Sequence, residues 1–195
     1  SDGTTEVVVS WTPPGGDAAT VELYRQGFGS YPEYDDAGGV APTPSATPGG
    51  GGWTFVASVA AGAGTYTDET PARDFWYYTA FVVDDCDNVG PVSNMTAGTL
   101  NYHLGDVSDG VTPGTGNNLV FLEDISLLGA NYGIGLIPGD PVNYLDVGPT
   151  TDFSVDALPT TDDQVQFEDL IMFAINYNQV SKQFAPPTPA SRNEI

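Results

Sequence analysis

Phe75-Trp76-Tyr77-Tyr78-Thr79-Ala80-Phe81-Val82-Val83 is the stretch on which the fold turns. It is almost unbroken aromatic and β-branched sequence, which suits a pleated surface. A run with no polar alternation fits a central strand buried on both faces. Shorter runs lie on either side of it. Glu6 to Trp11 alternates and stops at Pro13-Pro14-Gly15-Gly16. Ala19 to Gln26 puts Val21, Leu23 and Arg25 on one face and Glu22, Tyr24 and Gln26 on the other. Trp53 to Val59 alternates again, and Thr65-Tyr66-Thr67 is short. Asp87-Asn88-Val89-Gly90 reads as a turn, and Val92 to Leu100 closes the set. Short strands between turn signals make a mainly β chain and predict a β-sandwich over residues 1–100.

The same residues resemble a fibronectin type III domain. The resemblance rests on Val7-Val8-Val9-Ser10-Trp11-Thr12-Pro13-Pro14, Val21-Glu22-Leu23-Tyr24-Arg25 and Tyr66-Thr67-Asp68. It continues in Tyr77-Tyr78-Thr79-Ala80-Phe81-Val82-Val83-Asp84 and Gly90-Pro91-Val92-Ser93-Asn94, and covers most of residues 5 to 98. Two departures stand out. Residues 27–52 form a long insert whose prolines and Gly49 to Gly52 predict irregular chain, read as a solvated loop pinned by its tyrosines, with Tyr31-Pro32-Glu33-Tyr34-Asp35-Asp36 as a recognition or assembly surface the alternative. The family's first strand also has no counterpart, because only Ser1 to Thr4 precede the strand ending at Trp11. The expectation is a sandwich lacking its first strand, with an open edge that seeks a partner.

Acid dominates the composition. The chain has 195 residues, with 26 acidic and 4 basic side chains and a formal net charge of −22. Nineteen of the acids are Asp, the acid of loops and cation sites, and seven are Glu. Residues 101 to 178 hold twelve acids and no Lys or Arg. A folded segment with that imbalance repels itself unless cations bind it.

That segment reads as a duplicated loop-helix unit. Asn101-Tyr102-His103-Leu104-Gly105-Asp106-Val107 recurs loosely as Asn143-Tyr144-Leu145-Asp146-Val147. Leu122-Glu123-Asp124-Ile125 to Asn131-Tyr132 recurs as Phe167-Glu168-Asp169-Leu170 to Asn176-Tyr177. Acids in a first helical turn complement the helix dipole whether or not metal is present. In the second helix Leu170, Phe173, Ala174 and Tyr177 fall on one face at helical spacing, the expected core face.

This pattern resembles the duplicated calcium loop-helix of dockerin domains, which implies a small α-helical, dockerin-like domain over 101–178 with calcium as its ion. Carried over, Asp106 and Asp124 match the opening and closing ligands of the first loop, and Asp146 and Asp169 those of the second. Ser108, Asp109 and Asn118 are intermediate candidates in the first loop; Asp152, Asp162 and Asp163 are those in the second. The loops depart from the family's twelve residues, spanning 19 and 24 from Asp to Asp. The expectation is calcium in at least one loop. Two ions would cancel four charges. The alternative is two solvated acidic loops screened by salt.

Several classes drop out. Nothing offsets phosphate repulsion, so nucleic acid and anionic membrane are poor partners. No apolar run is long enough for membrane insertion, and no signal segment opens the chain. Its start at Ser1 rather than Met reads as processing or excision from a longer protein. One His and one Cys rule out an internal disulfide and a thiolate or imidazole zinc cluster. His103 reads as a packed linker residue and Cys86 as a turn residue. Without nucleotide or nucleophile motifs, a non-enzyme is expected. Asn94-Met95-Thr96 fits an N-glycosylation sequon.

Residues 179–195 complete the reading. They carry Ala185-Pro186-Pro187-Thr188-Pro189-Ala190-Ser191, which resembles the Pro-rich opening of a fibronectin type III domain. Pro is tolerated where an edge strand begins. The expectation is a secreted or cell-surface structural subunit whose tail completes the next subunit's sandwich, giving a head-to-tail homo-oligomer or filament. The alternative is a secreted binding module for a cohesin-type protein or for glycan, with Tyr31, Tyr34 and Trp53 as exposed glycan candidates.

Overall fold

The computed structural model describes residues 4–34 and 39–178. The tail expected to act as a donor strand lies outside them.

Phe75–Asp84 forms β5, the strand around which the β half is organised. β2 (Ala18–Gly27) runs antiparallel along one edge of it. β6 (Val89–Val92) and β7 (Thr99–Leu100) share the other edge, opposite Phe81–Val83 and Phe75–Trp76. β3 (Thr54–Ala60) pairs outside β2, with a bulge at Leu23/Tyr24. A second sheet holds β1 (Glu6–Ser10) and β4 (Thr65–Glu69), antiparallel from Glu6↔Glu69 to Ser10↔Thr65. The protein is thus mainly β, and its described residues form two antiparallel sheets and two short helices, α1 (Leu122–Asn131) and α2 (Phe167–Asn176).

Alternation decides what each face buries. Val7 and Val9 of β1 pack against Val21 and Leu23 of β2 and Trp76 and Tyr78 of β5. Asp68 of β4 is buried in the same region, where it accepts bonds from Arg25 Nη1 at 2.5 Å and Tyr78 Oη at 2.8 Å. Arg25 also lies over Trp76, 5.6 Å from the ring centre. The opposite face of β5, with Phe75, Tyr77 and Phe81, joins a core that includes Tyr102, Leu104, Leu128, Leu145 and Phe173. That is why β5 is apolar on both sides: one face meets the small sheet and the other meets the chain beyond residue 100.

The core therefore runs through the boundary read from sequence at residue 100. Every residue from Leu100 to Ser108 is buried. Asn101 is fully buried, with its amide nitrogen donating to Thr70 Oγ1 and Ala72 O and its amide oxygen accepting from Asp74 N. His103 is 3% exposed, as expected of a packed linker residue.

Four local expectations are corrected. β6 begins at Val89, inside the expected turn, and the segment expected to close the set is split between β6 and β7. The described part of the insert includes a 3₁₀ turn over Gly50–Gly52 and is not simply solvated. Tyr34 and Trp53 are only 3% and 4% exposed, and Tyr31 lies edge-on to Tyr102 at 5.3 Å. Tyr34 and Trp53 are therefore not exposed as a glycan surface would require, and Tyr31 is half-buried; glycine and proline foretell irregular backbone, which says nothing about burial. On α2 the buried positions are Asp169, Met172, Phe173 and Asn176, whereas Ala174 and Tyr177 are exposed. α2 is apolar nearly all round, so periodicity alone could not orient it; the buried Asp169 carboxylate does.

Candidate cation loops

The two loop-helix units share one hydrogen-bond frame. In the first, Asp124 at the third position of α1 accepts from Val107 N and Ser108 N on Oδ1 and from Phe121 N on Oδ2, each at 2.8 Å. In the second, Asp169 of α2 accepts from Val147 N at 2.7 Å and Gly148 N at 3.0 Å on Oδ1, and from Gln166 N at 2.8 Å on Oδ2. Each closing carboxylate thus ties the start of its loop to the N-terminus of its helix, reaching back to the N-cap N–H as in a capping box. Asp124 and Asp169 are both fully buried. Backbone donors reach both oxygens of each, so both cap their helices.

The opening carboxylates also correspond. Asp106 accepts from Asn117 N at 2.8 Å and Asn118 N at 3.0 Å. Asp146 accepts from Asp162 N at 3.2 Å and Asp163 N at 2.9 Å. Asn118 and Asp163 both adopt left-handed backbone, φ 68° and 63°, a region that Asn and Asp tolerate. Asp106 N donates to His103 O and Asp146 N to Asn143 O, at 3.0 and 3.1 Å. The residue equivalent to Asn143 is therefore His103, not Asn101 as the loose repeat suggested.

The extra loop residues leave this frame intact. The first loop folds back on itself through a Ser108↔Pro113 bridge and the second through Thr150↔Pro159. Asp109 is carried outward and accepts from Val111 N and Thr112 N; Asp152 likewise accepts from Ser154 N. Ser108 is buried and accepts from Gly110 N. Asp162 is exposed and accepts from Gln164 N and Gln166 Nε2. Asn118 donates to Thr4 O, anchoring the start of the described chain. Of the intermediate candidates, the fold brings Asp163 alone to its opening carboxylate's cavity.

The units differ in what faces the opening carboxylate. In the first, Arg73 donates from Nη1 to Asp106 O and from Nη2 to Asp106 Oδ2. Its guanidinium lies 5.0 Å from the centre of the Tyr102 ring. Gly116 leaves room for it, since a Cβ there would fall 1.5 Å from Arg73 Nη2. Burial pushes the Asp106 carboxyl above its ordinary value, and Arg73 with the two N–H donors pulls it down. A side-chain cation from the β half thus fills the place expected for calcium, and the first loop does not fit a metal ion as it stands. Sequence reading missed Arg73 because it lies 33 residues before its partner, outside the acidic segment.

Among the described residues no basic side chain is paired with the opening carboxylate of the second loop. Asp146 Oδ1 and Asn143 Oδ1 are buried without a hydrogen-bond donor. Both side chains line a cavity of about 10 Å³, together with Glu33, Leu136, Thr161 and Asp163. Burial, reinforced by the charge of Asp169, pushes the Asp146 carboxyl up to about 7; burial also lifts Asp169 to about 6 against its three donors. Among the described residues no three His, Cys, Asp or Glu side chains converge as a ready metal cluster. A cation here would also draw on amide and hydroxyl oxygen, which suits a hard ion. Sequence reading missed Glu33, Asn143 and Thr161; the repeated Asn-Tyr before each opening Asp was the only available signal, for Asn143.

No family model matches the chain, and no curated protein matches it. Among solved structures it is similar to the crystal structure of pectate lyase PelI from Erwinia chrysanthemi in complex with tetragalacturonic acid. That similarity has 20% identity and a TM-score of 0.29, over 48% of this chain and 27% of that one. The chain thus spans about a quarter of the protein it matches, and a likeness this slight carries neither fold nor activity across.

Proposed function

We propose that the chain is a non-enzymatic extracellular structural subunit, with a fibronectin type III-like sandwich followed by a calcium-stabilised, dockerin-like half, assembling head to tail. The observation that carries this reading is the edge of β1. Among the described residues β1 pairs with β4 alone. Beside it opens a groove of about 460 Å³ lined by Val9 to Thr12, Tyr78 to Ala80, Pro91, Ser93, Asn94 and Thr96, together with Val21 and Leu23. An unpaired backbone edge next to apolar side chains suits an added strand, with main-chain bonds for affinity and alternate side chains for fit.

Charge favours the tail over residues 179–195 of a second copy as the occupant. Residues 1–178 carry 25 acids and two basic residues, whereas 179–195 carry Lys182, Arg192 and Glu194. The two basic residues of the body, Arg25 and Arg73, are already paired with Asp68 and Asp106. The tail is therefore the one part of the chain with net positive charge to offer an acidic neighbour.

Electron microscopy of the intact chain, with and without residues 185–195, tests the proposal. Filaments are expected from the intact chain in calcium and none from the truncated one. Monodisperse intact protein at high concentration in calcium would sink the idea.

One observation favours a second reading, a secreted module that docks a cohesin-type protein. Phe167, Ile171 and Ile175 form an exposed stripe along α2, at 63%, 40% and 50% exposure. Such a stripe suits a protein partner. Capture of cohesin domains that is abolished by Ile171→Asp, with no filaments formed, would favour this reading.

A further inference from the structure

We infer that the second loop binds one calcium-class cation in a site that joins the two halves of the chain, with Glu33 and Asn143 as ligands beside Asp146 and Asp163, and that the first loop binds none. This rests on the calcium-stabilised reading above, but it names ligands outside the loop pattern and halves the number of ions.

Three observations converge on the site. Asp146 and Asn143 are 5% and 3% exposed, yet each keeps one oxygen without a donor. Asn143 Nδ2 donates to Ile137 O, which fixes the amide so that its oxygen is the unpartnered atom. A buried acceptor left bare is costly, and more so when charged, so two side by side mark a place where something donates or coordinates. The shared cavity of about 10 Å³ has room for about one water-sized occupant.

Charge then selects the occupant. Glu33, Asp146 and Asp163 are the acidic residues that line the cavity. The basic residues of the described chain, Arg25 and Arg73, are held at Asp68 and Asp106. A water molecule would satisfy the bare oxygens but leave the carboxylates repelling one another. A divalent ion does both, and carboxylate, amide and hydroxyl oxygens are the donors that calcium prefers. At the matching place in the first loop, Arg73 already supplies the positive charge.

Glu33 gives the site a further consequence. It comes from the insert in the β half, where its carboxylate also accepts from Gly139 N at 3.2 and 3.3 Å. An ion shared by Glu33 and Asp146 would staple the insert onto the second loop.

Calorimetric titration of the chelator-stripped full chain with calcium chloride tests this, paired with melting curves. One ion per chain is expected, with a rise in melting temperature. Glu33→Gln is expected to weaken calcium at least tenfold, and Asp163→Asn to weaken it similarly. Asp109→Asn and Asp152→Asn should leave affinity as it is. Two ions per chain, no binding, or full affinity in Glu33→Gln would overturn the inference, as would magnesium binding as tightly as calcium. Loss of filaments with one-ion binding intact would count against the assembly reading alone.

Discussion

The hydroxyls of Tyr34 and Tyr102 meet at 2.9 Å inside the protein, one from the insert and one from the junction between the halves. Burial raises both phenols far above their ordinary value, so they meet as neutral groups. Tyr34→Phe removes one hydrogen bond and is expected to cost about 1 kcal/mol. Tyr34→Ala opens a cavity and is expected to cost about 3–5 kcal/mol. Urea unfolding measures both, and a loss below about 0.5 kcal/mol for Tyr34→Ala would mean that the insert is surface loop after all.

Arg73→Met leaves Asp106 buried without its counter-charge. The expected loss is about 3–5 kcal/mol, the usual result of breaking one side of a buried pair. Adding Asp106→Asn is expected to recover part of it. A double-mutant cycle with no coupling between the two positions would refute the pairing.

Two glycines should respond in opposite directions. Gly116→Ala places a methyl group where Arg73 Nη2 and Asp106 Oδ2 now sit and should destabilise the chain. Gly129 lies in α1 with nothing within 4 Å of an added Cβ. Gly129→Ala is expected to stabilise by about 0.5–1 kcal/mol through helix propensity. Melting temperatures of the two variants read both signs.

Asp124→Asn and Asp169→Asn keep the side-chain shape but offer one acceptor oxygen where the carboxylate offered two. Each carboxylate holds three backbone N–H groups, so about 1–3 kcal/mol is expected to be lost. The loss should be equal with calcium and with a chelator, because these groups cap rather than coordinate. A markedly larger loss in calcium for Asp169→Asn would return it to the ligand set.

The strands were legible because their alternation is local. Val21, Leu23 and Arg25 do share a face, and Phe75 to Phe81 is buried on both sides. The duplicated loops were legible for a similar reason, since each Asp-to-Asp frame recurs whole despite inserts of different length. The occupant of the first frame was not legible, because Arg73 reaches Asp106 only after the chain folds across its own midpoint. Nor was the burial of Tyr34 and Trp53, since a Gly- and Pro-rich insert looks the same in sequence whether it floats or packs. Asn143 was hidden because an unpartnered oxygen is a property of the folded interior, and Glu33 because it reaches the second loop from a distant insert.

The buried run from Leu100 to Ser108 has a mechanical consequence. A linker between two modules ordinarily works as a joint, letting each swing against the other. Here the connecting chain is itself core, so bending it would require exposing Tyr102 and Leu104. Subunits of this kind joined end to end would share one rise and one twist, and any curvature of the polymer would have to arise at the contacts between subunits.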